Sequence, residues 1–202
     1  MKQIEICEWI RRCLHSTHQV GEITGDQDAG KLCTILVPAA VLVPLIERSG
    51  VCTILLTQRT AHLENHAGQI SFPGGRVEDK DASPIDTALR ETEEEIGLKR
   101  NDITDILGCL DLYQTVTGFL VTPVVGFITT PFKLVIDAFE VQETFEIPLD
   151  FILDVRNHER HSITQDGRTR HFYVINYERR YIWGATAAML INFAQRLRAT
   201  PL

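Results

Sequence analysis

Apolar positions recur along this chain with two periods, and the two periods predict different elements. In residues 4–14, the side chains of Ile4, Cys7, Ile10 and Leu14 fall on one helical face, which predicts an amphipathic helix. Other apolar runs are rich in β-branched or aromatic residues and predict strands. These runs are 36–47, 51–59, 106–116, 119–129 and 170–184.

Polar and mixed segments separate these elements. Residues 16–31 are polar with several glycines and predict a loop, while residues 60–75 end in a Pro-Gly-Gly breaker and predict an irregular segment. Residues 146–154 favour a short connecting or helical piece, and residues 185–199 have the propensity and period of a closing helix. Because strands and helices mix without regular alternation, the pattern predicts an α+β fold.

The clearest helix signal lies in residues 83–98. Ser83 can cap the helix, with Asp86 three residues later, and Pro84 suits the first helical position. Gly97 suits the C-terminal end. The buried face is predicted to consist of Ile85, Ala88, Leu89, Thr92 and Ile96.

Three glutamates of this helix form an acidic cluster. Glu91, Glu94 and Glu95 are spaced i, i+3, i+4, so they share a face and are predicted to point away from the apolar stripe. Like charges at this spacing oppose each other by roughly 0.2–0.5 kcal/mol per pair, and the helix C-terminus disfavours acids by about 0.3–1 kcal/mol. Bound Mg²⁺ or Mn²⁺ would remove both costs. The cluster is therefore a candidate metal site for phosphate chemistry, with a solvated acidic face as the alternative.

Length and composition restrict the class of protein. The 202 residues are 44% hydrophobic and 23% charged, which suits one globular domain. No apolar run reaches the roughly 18 residues of a membrane span, and the N-terminus lacks the pattern of a signal peptide, so we expect a cytoplasmic protein without a membrane partner. A net charge of −7 argues against polymeric nucleic acid as a partner. The five cysteines include no CxxC pair and predict reduced, partly buried thiols rather than a zinc site.

Segment 74–98 begins with a glycine pair and contains an Arg-Glu pair, a Glu-Glu pair and a Gly-Leu pair at fixed spacing. The residues of these three later pairs are Arg90, Glu91, Glu94, Glu95, Gly97 and Leu98. In this arrangement the segment resembles the signature of the Nudix hydrolases. It departs from the general pattern in three respects: its spacing is one residue longer, its early acid is Asp81 with Glu78 as the alternative, and Thr92 stands at an aliphatic position.

The resemblance to Nudix hydrolases implies an enzyme that acts on phosphoric anhydrides. It also implies an α/β/α sandwich with a mixed β-sheet, in which residues 74–98 form a loop–helix–loop catalytic box. Residues 1–202 would be one Nudix domain, with an N-terminal helix and loop over 1–30 and the core over about 34–199.

An upstream segment, residues 55–75, is similar to an additional motif of the coenzyme A (CoA) pyrophosphatase branch of this family. Segments 112–128 and 181–190 are similar to later parts of the same branch. Thr60 is a mild departure from the motif, and Glu64 reverses the charge of a motif arginine. The residues that match in register are Leu55, Leu56, Thr57, Arg59, Gly68, Phe72, Pro73, Gly74 and Gly75. The branch implies hydrolysis of the diphosphate of CoA or its thioesters to 3′,5′-ADP and 4′-phosphopantetheine or its acyl form.

The resemblance also implies a role for each residue of the acidic cluster. Glu91, Glu94 and Glu95 would hold Mg²⁺ or Mn²⁺, assisted by the backbone carbonyl of Gly75. Arg90 would fix the loop and Glu91 in place through the early acid of the box. These residues would form the catalytic centre.

The general base and the substrate contacts are less narrowly defined. The base stays open between Glu94 and a carboxylate delivered by a loop at 139–148, where Glu143 is preferred to Glu140 and Glu146. The substrate-binding residues implied by the branch motif are Arg59, Thr60, Gly68, Phe72, Gly74 and Gly75. Aromatic residues that would line the substrate pocket or else belong to the core are Phe72, Tyr113, Phe119 and Trp183.

Three other functions stay open on the sequence alone. One is a Nudix enzyme for ADP-ribose, NADH or a nucleotide sugar, which the charge reversal at Glu64 favours. Another is a non-catalytic Nudix-fold binding module, and the third is a structural protein with an acidic helix. A homodimer is implied only at the level of the family.

Overall fold

A computed structural model describes residues 3–16, 23–25, 36–62, 68–165 and 168–200 of the protein. The helices are α1 (Gln3–Cys13), α2 (Pro84–Ile96), α3 (Leu149–Leu153) and α4 (Ala185–Ala199). The strands are β1 (Ile23–Gly25), β2 (Val37–Arg48), β3 (Val51–Arg59), β4 (Ile70–Ser71), β5 (Gly74–Arg76), β6 (Ile103–Cys109), β7 (Leu112–Gln114), β8 (Phe119–Ile128), β9 (Val141–Pro148), β10 (Glu159–Gln165), β11 (Arg168–Tyr177) and β12 (Arg180–Trp183).

Nine of the described strands form one mixed sheet, and β10, β11 and β12 form an antiparallel sheet of their own. Strand β2 runs parallel to β8, from Val37 opposite Phe119 to Ile46 opposite Ile128, and antiparallel to β3. Strand β5 also pairs with β2, while β9 pairs with β3. The first residues of the predicted box, which form β5, therefore lie beside β2 in the sheet.

Alternate side chains of β2 enter two different hydrophobic layers. Leu42 and Ile46 belong to the layer that α2 covers with residues such as Leu89. Val43 and Leu45 belong to the layer that α1, α3 and α4 cover on the opposite face. The expected α/β/α sandwich around a mixed sheet is therefore confirmed.

Helix α1 has the predicted location but buries a different face. Both the predicted stripe and the observed stripe have helical spacing, so periodicity does not distinguish them. The indole of Trp9 determines which face is buried. Its burial removes a large apolar area from water, and its Nε1 donates a 2.6 Å hydrogen bond to the carbonyl of Thr200. Cys7 is only half-buried. The buried residues of α1 are Ile6, Trp9, Ile10 and Cys13.

Several predicted segments are divided differently in the structure. The strand predicted at 106–116 is two strands, β6 and β7, and the irregular segment at 60–75 contains the short strands β4 and β5. The loop predicted at 16–31 lies mostly outside the described residues, but β1 falls within it and pairs in parallel with β7. Residues 139–148 are mainly strand β9 rather than a loop, and α3 follows it directly. Strands of two or three residues are too short to produce a recognisable alternation.

The described cysteines are Cys7, Cys13, Cys52 and Cys109, and all four are free thiols. Burial raises the pKa of the Cys52 thiol to about 12, which disfavours its reactive thiolate form. Among the described residues, no helix combines the length and the apolar character that a membrane crossing requires.

Candidate active site

Helix α2 begins and ends where the sequence predicts. The Ser83 hydroxyl accepts a hydrogen bond from the Asp86 N–H at 3.3 Å and donates to the Asp86 carboxylate at 2.6 Å. Gly97 adopts the left-handed conformation with φ 68°, and its N–H donates to the Glu93 carbonyl at 2.9 Å. A Cβ at Gly97 would also lie 2.8 Å from Val135, so both conformation and packing favour glycine.

Arg90 connects α2 to the loop that precedes it. Its Nε and Nη2 each donate a 2.9 Å hydrogen bond to a different carboxylate oxygen of Asp81, and Nη2 also donates to the Arg76 carbonyl at 3.1 Å. The Arg90 hydrogen bonds hold the pKa of the Asp81 carboxyl well below its usual range. Glu78 is more distant from Arg90, at 3.8 Å. Of the two acids proposed from sequence, Asp81 is therefore the principal partner of Arg90.

The remaining nitrogen of Arg90 lies between two glutamates of the cluster. Nη1 donates to Glu91 at 2.8 Å and to Glu94 at 3.0 Å. The ammonium of Lys80 lies 4.0 Å from Glu94. The repulsion expected from the sequence is thus partly offset by cations of the same loop–helix unit.

The three glutamates differ in exposure, which corrects one prediction. The exposed fraction of the side chain is 54% for Glu94, 19% for Glu91 and 5% for Glu95. Glu95 therefore does not point away from the buried side of α2. It follows Thr92 by three residues, so it lies at the edge of the buried stripe, where β5 covers it.

In the part of the chain that the structure describes, Glu95 is buried beside the Arg59 guanidinium and the Gly74 N–H. The Gly74 N–H donates to its Oε2 at 3.3 Å, and Arg59 Nη1 lies 3.6 Å from its Oε1. Burial raises the pKa of Glu95 to about 8, and Arg59 and the Gly74 N–H oppose this only in part. Burial also raises the pKa of Glu91. The site thus contains carboxylates that would be more stable beside a cation.

The glycine pair at 74–75 lets the β5 backbone approach these carboxylates. A Cβ at Gly75 would lie 2.4–2.5 Å from the carboxylate atoms of Glu91. Gly74 has φ +153°, and a Cβ there would lie 2.4 Å from the Ala40 carbonyl. Only glycine fits at either position without displacement of a neighbour.

Thr60 and Gly68 support the site rather than line it in this structure. The Thr60 hydroxyl donates to the Phe139 carbonyl at 2.8 Å, and the Thr60 N–H donates to the Glu140 carbonyl at 3.0 Å. The Gly68 N–H in turn donates to the Thr60 carbonyl at 3.3 Å. Thr60 is buried, so its contacts fix the turn that contains Glu140.

Among the acids considered in 139–148, Glu140 acts on the cluster. Burial is the main cause of the raised pKa of Glu91 and Glu95, and the charge of Glu140 adds to it at both residues. Glu143 instead lies on β9 and accepts a 3.0 Å hydrogen bond from Arg180. Glu146, the third acid of the segment, forms a 2.9 Å ion pair with Arg48. The approach of Glu140 depends on the pairing of β9 with β3, which the sequence alone does not reveal.

The aromatic candidates differ in their surroundings. Phe72 and Tyr113 are each only 3% exposed and belong to the core, so Phe72 does not face a substrate in this structure. Phe119 is half-buried, with the Arg76 guanidinium 5.2 Å from its ring centroid. Trp183 lies on β12 beside a cavity of about 460 Å³. Phe139 is adjacent to Glu140 and 65% exposed, and no motif of the sequence marks it.

The donor set fits a hard divalent cation, although it is not assembled as a cage. Within the described ranges, no three His, Cys, Asp or Glu side chains converge into a ready metal site. The donors present are carboxylates, which Mg²⁺ and Mn²⁺ prefer, and Gly75 leaves the space beside Glu91 without a side chain. Glu94 is exposed enough to turn from Arg90 towards an ion.

Comparison with known proteins identifies the family. The NUDIX domain model matches residues 36–170 of the chain. The chain belongs to the Nudix family. The uncharacterized Nudix hydrolase NudL of Shigella flexneri is 39% identical over 163 residues, which is 81% of this chain and 84% of the relative. NudL of Escherichia coli K12 has the same identity and the same coverage.

Solved structures agree with this Nudix fold. The MutT protein from Methanosarcina mazei Go1 is 20% identical, with a TM-score of 0.50 over 82% of this chain and 94% of that protein. A MutT/nudix family protein from Enterococcus faecalis is 16% identical, with a TM-score of 0.52 over 98% of this chain and 70% of that protein. Nudix hydrolases act on pyrophosphate bonds of nucleoside diphosphate derivatives and generally use divalent metal ions. The chain is therefore a hydrolase that acts on phosphoric anhydrides.

Proposed function

We propose that this Nudix enzyme hydrolyses the diphosphate of CoA and CoA thioesters, yielding 3′,5′-ADP and 4′-phosphopantetheine or its acyl form. One observation carries the proposal: residues of the segment 55–75, which is similar to the CoA pyrophosphatase branch, contact three acids of the candidate site. Arg59 and Gly74 contact Glu95, Gly75 approaches Glu91, and Thr60 binds the backbone of Glu140. The branch motif and the acidic cluster thus form one structural unit.

Glu91, Glu94 and Glu95 would hold the divalent ion, with the Gly75 carbonyl assisting. Such an ion, when bound, neutralises diphosphate charge and polarises the P–O bond that breaks. Arg90 keeps Glu91 and the loop in position through Asp81. Arg59, a quarter exposed beside Glu95, supplies positive charge towards an anionic substrate. Positioning and electrostatics of this kind carry most phosphoryl chemistry.

Glu140 is proposed as the general base in preference to Glu143. A base must reach the water that attacks phosphorus, and such a water would lie near Glu91 and Glu95. Glu140 acts electrostatically on both of those glutamates, whereas Glu143 is engaged by Arg180. Glu94, the other base considered from sequence, is proposed here as a ligand.

A different nucleoside diphosphate derivative is the second candidate substrate. Glu64 favours it because an acid replaces the motif arginine, although Glu64 lies outside the described residues. ADP-ribose, NADH and nucleotide sugars are the relevant compounds. The cytoplasmic location and the homodimer expected from the sequence also stay predictions.

The test is incubation of the purified protein with CoA and Mg²⁺ or Mn²⁺, with products identified by mass. Formation of 3′,5′-ADP and 4′-phosphopantetheine supports the proposal, and the Glu94→Gln variant should form little of either. Glu93→Gln is the matched control, because Glu93 is an exposed neighbour on the same helix. Turnover of ADP-ribose or NADH without turnover of CoA would transfer the proposal to the second candidate. Absence of turnover with every diphosphate would favour a binding module.

A further inference from the structure

Phe139 is the most exposed of the large hydrophobic side chains described, at 65%. Single exposed apolar residues are common on protein surfaces and need no explanation by themselves. Phe139 differs because its backbone is fixed on both sides. Its carbonyl accepts from the Thr60 hydroxyl at 2.8 Å, and its N–H donates to the Asp137 carboxylate at 2.9 Å. The ring is therefore displayed to solvent from a rigid turn.

A second ring lies beside it. The centroids of His62 and Phe139 are 5.0 Å apart, with an angle of 59° between the planes. Both side chains are exposed, so the pair presents aromatic surface outwards. The two rings come from different parts of the chain, and the Thr60 hydrogen bonds connect those parts.

The same two segments supply groups to the acidic site. Arg59, three residues before His62, lies 3.6 Å from Glu95. Glu140 directly follows Phe139, and its carbonyl accepts a 3.0 Å hydrogen bond from the Thr60 N–H, one residue after Arg59. The aromatic pair is thus built on the backbone that carries charged groups of the catalytic centre.

We propose that Phe139, with His62 beside it, forms the surface on which the purine base of the substrate stacks. This inference rests on the proposed function, because it assumes a diphosphate held at the neighbouring carboxylates. Aromatic rings bind bases through their π-faces, and this interaction requires no hydrogen-bond code. Phe72 and Tyr113 do not compete for this role, since the core encloses both. The exposed Trp183 belongs to the other sheet.

Binding without turnover tests the inference. Calorimetry would compare the affinity of ADP with that of inorganic pyrophosphate, each with Mg²⁺, so that the difference reports the nucleoside. Phe139→Leu keeps an apolar side chain but removes the ring, and it should weaken ADP about tenfold or more while pyrophosphate binding stays unchanged. Phe139→Tyr should bind ADP like the wild type. His62→Ala should produce a smaller loss of the same kind.

Trp183→Leu is the matched control, since it removes an exposed ring from the other sheet. ADP binding that is unchanged in Phe139→Leu, or reduced in Trp183→Leu instead, would overturn the inference. If pyrophosphate binds but ADP binds no more tightly, the stacking surface fails alone and the diphosphate site stands. If the wild type binds neither compound, both the inference and the proposed function fail.

Discussion

Arg90 holds Asp81 through two parallel hydrogen bonds, from Nε to Oδ1 and from Nη2 to Oδ2, each 2.9 Å long. A lysine ammonium is a single point donor and cannot reproduce this fork. Arg90→Lys should therefore loosen the loop and lower kcat roughly 10- to 100-fold, because small displacements of catalytic groups are costly. Arg100→Lys is the matched control, since Arg100 pairs with Asp86 on the exposed start of the same helix. Equal kcat values for the two variants would contradict the positioning role of Arg90.

Glu94→Gln should separate activity from stability. The side chain is 54% exposed and its ion pair with Arg90 is of the i, i+4 type, so metal-free stability should change by no more than about 0.5 kcal/mol. Turnover should fall about 100-fold or more, because a proposed ligand is lost. Urea unfolding in EDTA and steady-state kinetics measure the two effects. A variant that loses stability but keeps turnover would refute the metal-site assignment.

The stability of the metal-free protein should depend on pH through Glu95. Burial raises the pKa of Glu95 from its ordinary 4.5 to about 8 in the folded protein. Between these values the folded protein keeps a proton that the unfolded chain has released, so stability falls as pH rises through this range. The contribution of one such group is at most about 1.4 kcal/mol per pH unit.

Unfolding in urea and EDTA at several pH values between about 5 and 8 would measure this slope. Glu95→Gln cannot release the proton and should have a shallower slope, while some slope should persist because the pKa of Glu91 is also raised. Identical slopes for the Glu95→Gln variant and the wild type would show that Glu95 ionises normally.

Glu140→Gln and Glu143→Gln should differ strongly in activity. Loss of a general base lowers kcat about 100-fold or more and removes the acidic limb of the pH–rate profile. Glu143→Gln should keep both, because Glu143 interacts with Arg180 rather than with the cluster. Glu140→Gln should also lower the pKa of Glu91 and Glu95, which NMR titration can follow. The reverse ranking of the two variants would restore Glu143 as the base.

Alanine at the two box glycines should have opposite principal effects. In Gly75→Ala the new methyl meets the movable carboxylate of Glu91, so the protein should fold and lose about tenfold or more in turnover. In Gly74→Ala the methyl meets the Ala40 carbonyl of β2, so stability should fall by about 1–3 kcal/mol. Thermal unfolding and kinetics on the same preparations would test the contrast. Equal turnover losses with equal melting temperatures would contradict it.

Local signals allowed α2 to be predicted almost to the residue. Ser83, Pro84 and Gly97 define its ends through short-range capping interactions, which a single sequence displays directly. The predicted pairing of Arg90 with Asp81 is also a short-range contact, because the two residues are nine positions apart. The family resemblance supplied the sandwich that packs around this helix.

The rest depended on contacts between distant parts of the chain. Glu95 is buried because β5 covers it, and Glu140 approaches the cluster because Arg59 pairs with Val141. Phe139 acquires its neighbour His62 through the same pairing of β3 with β9. Helix periodicity gives the faces of one element but not the element that meets each face.

The position of Arg90 Nη1 between Glu91 and Glu94 gives α2 a counter-charge of its own. Small metalloproteins whose ligands repel each other fold only when the ion arrives. Helix α2 instead carries Arg90 between its repelling glutamates, so a newly made chain can fold before any metal ion binds. A metal ion that binds later must then compete with Arg90 for the carboxylates of Glu91 and Glu94. Catalysis would begin above a threshold of free metal that this competition sets, so the chain can fold without metal while its chemistry depends on metal.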